Sequence, residues 1–235
     1  MSTSIPSAGA RVADAWDETP ALRALRLELP PSLAERHRRP GQVVKLHTPV
    51  GEAYFALASA PSSDGRVDLL LKRGGKVADA AVALALPGAS LETTAPFGEG
   101  FPVEEARGRD VLLFAAGSGI APIRSLVQHL EADRGAFGRV TLFYGQRRGA
   151  DFAYLREHLD WERRGVRVVL CPSAEDSAWR GVRGRVQEVA SAVAFGGALP
   201  GDAVAFVCGM TAMVEDVRAT LARAGVPPGR VHANF

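Results

Sequence analysis

Over the first hundred residues, apolar and polar positions alternate in short runs. RVADAWDE (11–18), LRALRLELP (22–30), QVVKLHTP (42–49), AYFALAS (53–59) and RVDLLLKR (66–73) carry strand-like patterning, broken by Pro, Gly or Asp-Gly signals. KVADAAVALAL (76–86) reads as a helix, and ASLETTAPFG (89–98) as a sixth strand. Six short strands with one helix predict a small antiparallel β-barrel.

The pattern changes after GFPVEEARGRD. From Asp110 on, near-continuous apolar runs (VLLFAA, RVTLFYG, VRVVLC, AVAFVCG) alternate with amphipathic stretches (APIRSLVQHLEA, DFAYLREHLDWERR, RVQEVASAVA, TAMVEDVRATLARAG), and RVHANF supplies a fifth strand. Apolar strands separated by amphipathic helices predict a doubly wound α/β domain on a five-stranded parallel sheet. The reading is therefore two domains, a six-stranded antiparallel barrel over 1–104 and the α/β domain over 105–235. In such sheets ligands sit beyond the strand carboxyl ends, where the strand order reverses. Gly117-Ser118-Gly119 and Cys208-Gly209-Met210 both fall there.

Composition narrows the function classes. The 235 residues are 47% hydrophobic, enough for a sizeable core. Net charge is +2, which gives no case for nucleic acid. No apolar run approaches the ~20 residues of a membrane helix. The amino terminus lacks a signal pattern, so the expectation is a cytoplasmic protein with no membrane partner. Two cysteines are too few for a disulfide framework, and the five histidines have no metal-ligand spacing, so no metal site is expected.

The strand VLLFAA ends abruptly in Gly117-Ser118-Gly119, and a helix with Pro122 near its start follows. Gly117 and Gly119 let backbone approach a ligand closely. The helix behind them offers unpaired N–H groups and a positive dipole end, a place for a pyrophosphate. Pro122 gives up a donor that would be unpaired in any case. A tight connection without a ligand is the alternative for a Gly-x-Gly alone.

Three stretches carry a resemblance. GSGIAPIRS (117–125) resembles the nicotinamide-nucleotide loop of the ferredoxin–NADP reductase family; its residues Gly117, Ser118, Gly119, Ile120, Ala121 and Pro122 would bind the nucleotide. LFYGQRRGADFAY (142–154), with Gly145 and Arg147, resembles that family's next strand and helix entry. FVCGMTAMVEDVRATLARAGV (206–226) resembles its Cys-Gly segment and final helix. The resemblance implies that Cys208 lies against the nicotinamide, near the hydride path, with Gly209 and Met210 beside the nucleotide. An ordinary buried cysteine is the alternative, and is the reading for Cys171. It also implies that Phe235 covers the flavin face; terminal packing is the alternative there. APFGEG (95–100) resembles the family's turn between the domains.

The same resemblance places a flavin on AYFALAS. Ala53 stands where the family has arginine, Phe55 where it has tyrosine and Ala56 where it has serine; Ser59 keeps its hydroxyl. RGGKVAD (73–79) matches the second phosphate loop, with Val77 and Ala78 where a hydroxyl is expected. Backbone N–H groups of Leu57, Ala58 and Ser59 and of the helix after Gly75 remain as donors, Lys72 and Lys76 as cations, and Phe55 as a ring to stack. FAD is the expected flavin, and a barrel that binds nothing is the alternative.

For the nicotinamide partner the choice is NADP or NAD. Ser173, Arg183 and Arg185 lie where the family's phosphate contacts fall and favour NADP, while Ala174, Glu175 and Asp176 do not. The implied activity is hydride transfer between nicotinamide and FAD, with electrons passed to a small redox protein or a flavoprotein. The other readings are a catalytically silent nucleotide-binding or redox-sensing module and an electron-transfer subunit of a larger oxidoreductase. A two-iron cluster on this chain would need four closely spaced cysteines.

Overall fold

A computed structural model describes residues 5–234. The first sheet holds β1 (Ser7–Thr19), β2 (Leu22–Glu28), β3 (Val43–Thr48), β4 (Gly51–Ala56), β5 (Arg66–Lys72) and β6 (Ser90–Thr94) in the order β4-β3-β6-β1-β2-β5. Every pairing is antiparallel. The sheet closes where the chain beyond β4 meets β5: Leu57 bridges Leu69, and the Ala58 N–H donates to the Asp68 carbonyl at 2.7 Å.

Helix α1 (Pro31–Ala34) is a single turn that the strand pattern does not announce. Helix α2 (Lys76–Leu84) packs against β3, β4 and β5. It ends two residues earlier than its apolar pattern, because Pro87 forces the chain out of helix.

Strand β5 explains how two domains become one molecule. Its sequence RVDLLLK is buried on both faces. Val67, Leu69 and Leu71 point into the barrel with Leu25, Leu27, Val44 and Leu46. Leu70 faces outward and shares a core with Leu22, Ala24 and Ala58 of the barrel and with Ile120, Ala121, Ile123 and Tyr154 of the second half. Arg66, Asp68, Leu70 and Lys72 alternate onto its outer face, and the second half covers Asp68 and Leu70 between the exposed Arg66 and Lys72.

The second sheet is parallel, β7 (Val111–Ala116), β8 (Val140–Gln146), β9 (Val166–Pro172), β10 (Val204–Cys208) and β11 (Val231–Ala233), in the order β11-β10-β7-β8-β9. Helices α3 (Ile120–Ala132) and α4 (Leu155–Arg163) cover the face bearing Leu113, Ala115 and Tyr144. Helices α5 (Val186–Ala192) and α6 (Thr211–Arg223) cover the face bearing Leu112, Phe114 and Phe143. This is the doubly wound arrangement the pattern predicts. Helix α4 differs from its expected span. Residues 151–154 are not α-helical, and Tyr154 is left-handed with φ 61°. Its N–H donates to Glu18 of β1 at 2.7 Å, so a contact between domains replaces the first helical turn. No helix among the described residues is long and apolar enough to cross a membrane.

Candidate functional site

The chain leaves β7 for β8 and β9 at one edge, then returns to β10 on the other side of β7. The strand order reverses between β7 and β10, and a crevice opens at their carboxyl ends. Gly117–Gly119 form one turn of 3-10 helix there and run directly into α3. Gly117 has φ 59°, and nothing lies within 4 Å of where its Cβ would stand. Its carbonyl accepts a hydrogen bond from the buried Tyr144 hydroxyl at 3.3 Å, which in turn accepts from Gln146 at 2.8 Å.

Gly119 has a packing role in addition to the one its motif implies. A Cβ there would stand 2.3 Å from the Cys208 carbonyl oxygen and 3.1 Å from the Gly209 nitrogen. The glycine lets the ends of β7 and β10 pack backbone against backbone, which builds the floor of the crevice. Gly209 is a looser case: a Cβ there would meet the Met213 methyl at 2.6 Å, the end of a flexible side chain that can turn aside.

The crevice continues into a cavity of about 1090 Å³ between the two domains. Phe55, Ala56, Leu70 and Lys72 line it from the barrel, with the unanticipated Tyr54. Gly117, Ser118, Gly119, Ala121, Pro122, Gly145, Arg147, Ser173, Arg185, Cys208, Gly209 and Met210 line it from the α/β side. Gln146, Gln187, Met213, Asp216 and Asn234 also reach it and are not singled out as site residues by the sequence. Asn234 donates its N–H to Val207 and its side-chain amide to Gly41 of the barrel at 3.0 Å, so it spans the domains. Phe235 lies outside the described residues.

Other expected residues stand apart from the cavity. Leu57 and Ala58 are fully buried, and their N–H groups are held by Gln42 and Asp68. The Ser59 hydroxyl accepts the Asp68 N–H at 2.9 Å. Gly75, Lys76, Val77 and Ala78 open α2 outside the lining, Ile120 lies beneath the turn, and Arg183 is exposed.

Cys208 is 8% exposed, and burial pushes its thiol up to about 12, so it faces the cavity as a neutral, weakly polar group. Cys171 also reaches the lining; its thiol lies 3.5 Å from the Val169 carbonyl. At one end of the cavity Arg185 lies 3.8 Å from Asp216, which also accepts from Gln187 at 3.0 Å. The loop bearing Ser173 is tied to β8 through Gln146 and Arg147.

Residues 113–219 match the family model described as the oxidoreductase NAD-binding domain. The chain is 31% identical over 220 residues to the sulfhydrogenase 1 subunit gamma of Pyrococcus furiosus, covering 91% of this chain and 73% of that one. It belongs to the ferredoxin–NADP reductase-like family of flavin/nicotinamide oxidoreductases. As a family member it is an oxidoreductase acting on NAD(P)H that hands electrons to a redox partner. It is 30% identical over 203 residues to the propane 2-monooxygenase reductase component of Mycolicibacterium goodii, covering 82% of this chain but 57% of that relative. A ferredoxin NADP+ reductase from Neisseria gonorrhoeae, solved with bound FAD and NADP, shares the fold at TM-score 0.81 and 21% identity, covering 97% of this chain and 99% of that one.

Proposed function

We propose that the chain binds FAD along β4 and β5 and a nicotinamide nucleotide along the Gly117–Gly119 turn. One observation carries this reading: a single cavity is lined by Phe55, Ala56 and Leu70 on one side and by Gly117, Pro122 and Cys208 on the other. Two flat rings can meet face to face in such a slot. The lining fits a flavin. It is apolar between Phe55 and Leu70, small at Ala56 and cationic at Lys72. Missing the arginine at Ala53, the barrel is left to hold the flavin pyrophosphate with Lys72 at the cavity wall and, past the cavity lining, with the N–H groups of the first turn of α2. FAD, when bound, supplies a two-electron acceptor for hydride and a one-electron donor for the partner.

On the α/β side, the turn and the α3 N-terminus hold the nucleotide pyrophosphate. Cys208 and Gly209 set the nicotinamide ring against the flavin. Arg147, Ser173 and Arg185 receive the adenosine end. Asp216 partly offsets Arg185, so discrimination between NADP and NAD is modest, with NADP favoured. The acceptor is a small redox protein or flavoprotein. The subunit and component names of the two relatives favour a place as the electron-transfer subunit of a larger enzyme.

Purified protein should be yellow, or quench FAD fluorescence on titration. Anaerobic mixing should then bleach the flavin with either nucleotide, and the ratio of kcat/KM gives the preference. A colourless protein without flavin binding overturns the reading.

A further inference from the structure

The densest group of buried charges lies outside the cavity, where the barrel meets α3. Asp68 of β5 accepts a forked pair from Arg26 of β2, at 2.8 and 3.0 Å, and a third bond from Arg124 of α3 at 3.1 Å. Arg124 also donates to the Ala58 carbonyl at 2.6 Å and, with Nε and Nη2, to both oxygens of Glu157 on α4 at 2.8 Å. The side chains of Arg124 and Asp68 are each 6% exposed. The Tyr154 ring lies 4.7 Å from the guanidinium carbon.

Two more residues of α3 extend the contact. Ser125 donates to the Ser59 carbonyl at 2.7 Å, and Gln128 accepts the Ala60 N–H at 2.9 Å. One helix therefore grips residues 58, 59 and 60 in succession. Those residues continue the strand that carries Phe55 and Ala56 into the cavity, and the same helix begins at the glycine turn. Apolar packing alone can slide; a planar fork bonded to three partners fixes register. Buried charges of this kind hold only while each partner is in place.

We propose that Arg124 is a positioning residue that sets the barrel's register against the nucleotide-binding helix through Ala58, Asp68 and Glu157, and thereby the separation of the two rings during hydride transfer. The rate consequence rests on the flavin–nicotinamide reading above. In that transfer a hydride, two electrons with one proton, leaves the reduced nicotinamide, which is oxidised, and reaches the flavin, which is reduced. Arg124 neither lines the cavity nor exchanges a proton. Burial alone would lower its pKa, but Glu157, Tyr154 and Asp68 outweigh that and keep it raised.

The test uses Arg124→Lys, which keeps the charge and loses the fork, and Glu157→Gln, whose partly exposed site tolerates change. Without any cofactor, calorimetry should show the parent's single unfolding transition split in Arg124→Lys, and amide exchange should rise at 57–60 and 153–157. With flavin bound, reduction at saturating nucleotide should slow by about tenfold or more in Arg124→Lys, and by roughly threefold in Glu157→Gln. Flavin content and nucleotide Kd should stay within about twofold in both, because the binding contacts remain and only the separation of the rings changes. Parent-like reduction rates, or a rate loss matched by equal losses of flavin and nucleotide binding, would overturn the proposal. If Arg124→Lys does not fold, Glu157→Gln decides on the same readouts. If the parent takes no flavin, the cofactor reading fails separately, and unsplit unfolding with unchanged exchange then overturns the clamp.

Discussion

The two walls of the cavity are built from different materials. The α/β wall is made of backbone, Gly117 in a left-handed turn and Gly119 against the Cys208 carbonyl, with Gly209 beneath the flexible end of Met213. The barrel wall is made of side chains: Tyr54, Phe55, Leu70 and Lys72, with alanine at 56. A backbone site depends on an absent Cβ, so few residues can occupy it. A side-chain site can lose one charged contact of about 1.5–3 kcal/mol and keep its shape. The difference explains why the Gly117–Gly119 turn matches the family in the sequence while the strand at 53–59 departs from it.

The strongest way to break the comparison is Gly119→Val. Its Cβ would fall 2.3 Å from a backbone oxygen that cannot move without parting β7 from β10. Loss of nucleotide binding and a destabilisation of more than about 3 kcal/mol are expected, read by nucleotide titration and by Tm. Gly117→Ala is the contrast. Open space receives its Cβ, and only the φ of 59° opposes it, for about 1–2 kcal/mol. Equal, small effects at both positions would mean that the backbone wall is not built as described.

Next in size is Cys208→Ala. The thiol emerges at the end of β10 beside the glycine floor, where, on the proposed reading, removing it leaves the nicotinamide less well located. Flavin reduction should slow, approaching a hundredfold if the ring shifts by ~1 Å, with flavin content unchanged. Cys171→Ala, three strands away on β9 with β7 and β8 between, should slow it far less, although Cys171 reaches the same cavity. Matching rates in the two variants would return Cys208 to the core.

A smaller gain should come from the other wall. Ala53→Arg restores a cation to a strand whose neighbours already line the cavity. Flavin binding should tighten by about tenfold, by the usual worth of a charge-assisted contact. Unchanged affinity in fluorescence quenching would show that Lys72 and α2 already satisfy the pyrophosphate.

Much of the fold was legible because each sheet prints its own period. Strands β7 and β8 match their apolar runs almost residue for residue, and β5 matches its own, though nothing in its pattern says that Asp68 and Leu70 pack under a second layer. The glycine turn was legible for the same reason, since a missing side chain is visible in a sequence. The joint between the domains was not. Arg124 sits in IAPIRSLVQHL as an ordinary polar helix position, and its partners Ala58 and Asp68 are 66 and 56 residues away. Glu18 likewise looks like an exposed strand-end carboxylate, yet it fixes Tyr154 and removes the first turn of the expected helix. Local periodicity carries no information about such long-range polar pairs. The N–H groups of Leu57 and Ala58 are not free donors for the same reason: the β3–β4 ladder holds the first through Gln42, and barrel closure onto Asp68 holds the second.

The smallest expected effect is an absence of change with pH, and it tests what kind of wall Cys208 belongs to. Burial raises its thiol from 9.0 to about 12. A raised acid stays protonated until the pH passes the raised value, so the neutral thiol persists throughout the range in which the enzyme can be assayed. The ratio of flavin-reduction rates, parent to Cys208→Ala, should therefore be flat from about pH 7 to 9. Stability follows the same sign. The unfolded thiol ionises first, so the contribution of each buried cysteine is full below pH 9 and declines between 9 and about 12. Tm should hold up to that point and then fall, less steeply when Cys171 or Cys208 is alanine. A step in the rate ratio near pH 8.5 would place a thiolate beside the nicotinamide. Cys208 would then be an exposed ionising group, and the quiet, backbone-built wall would have a charged member.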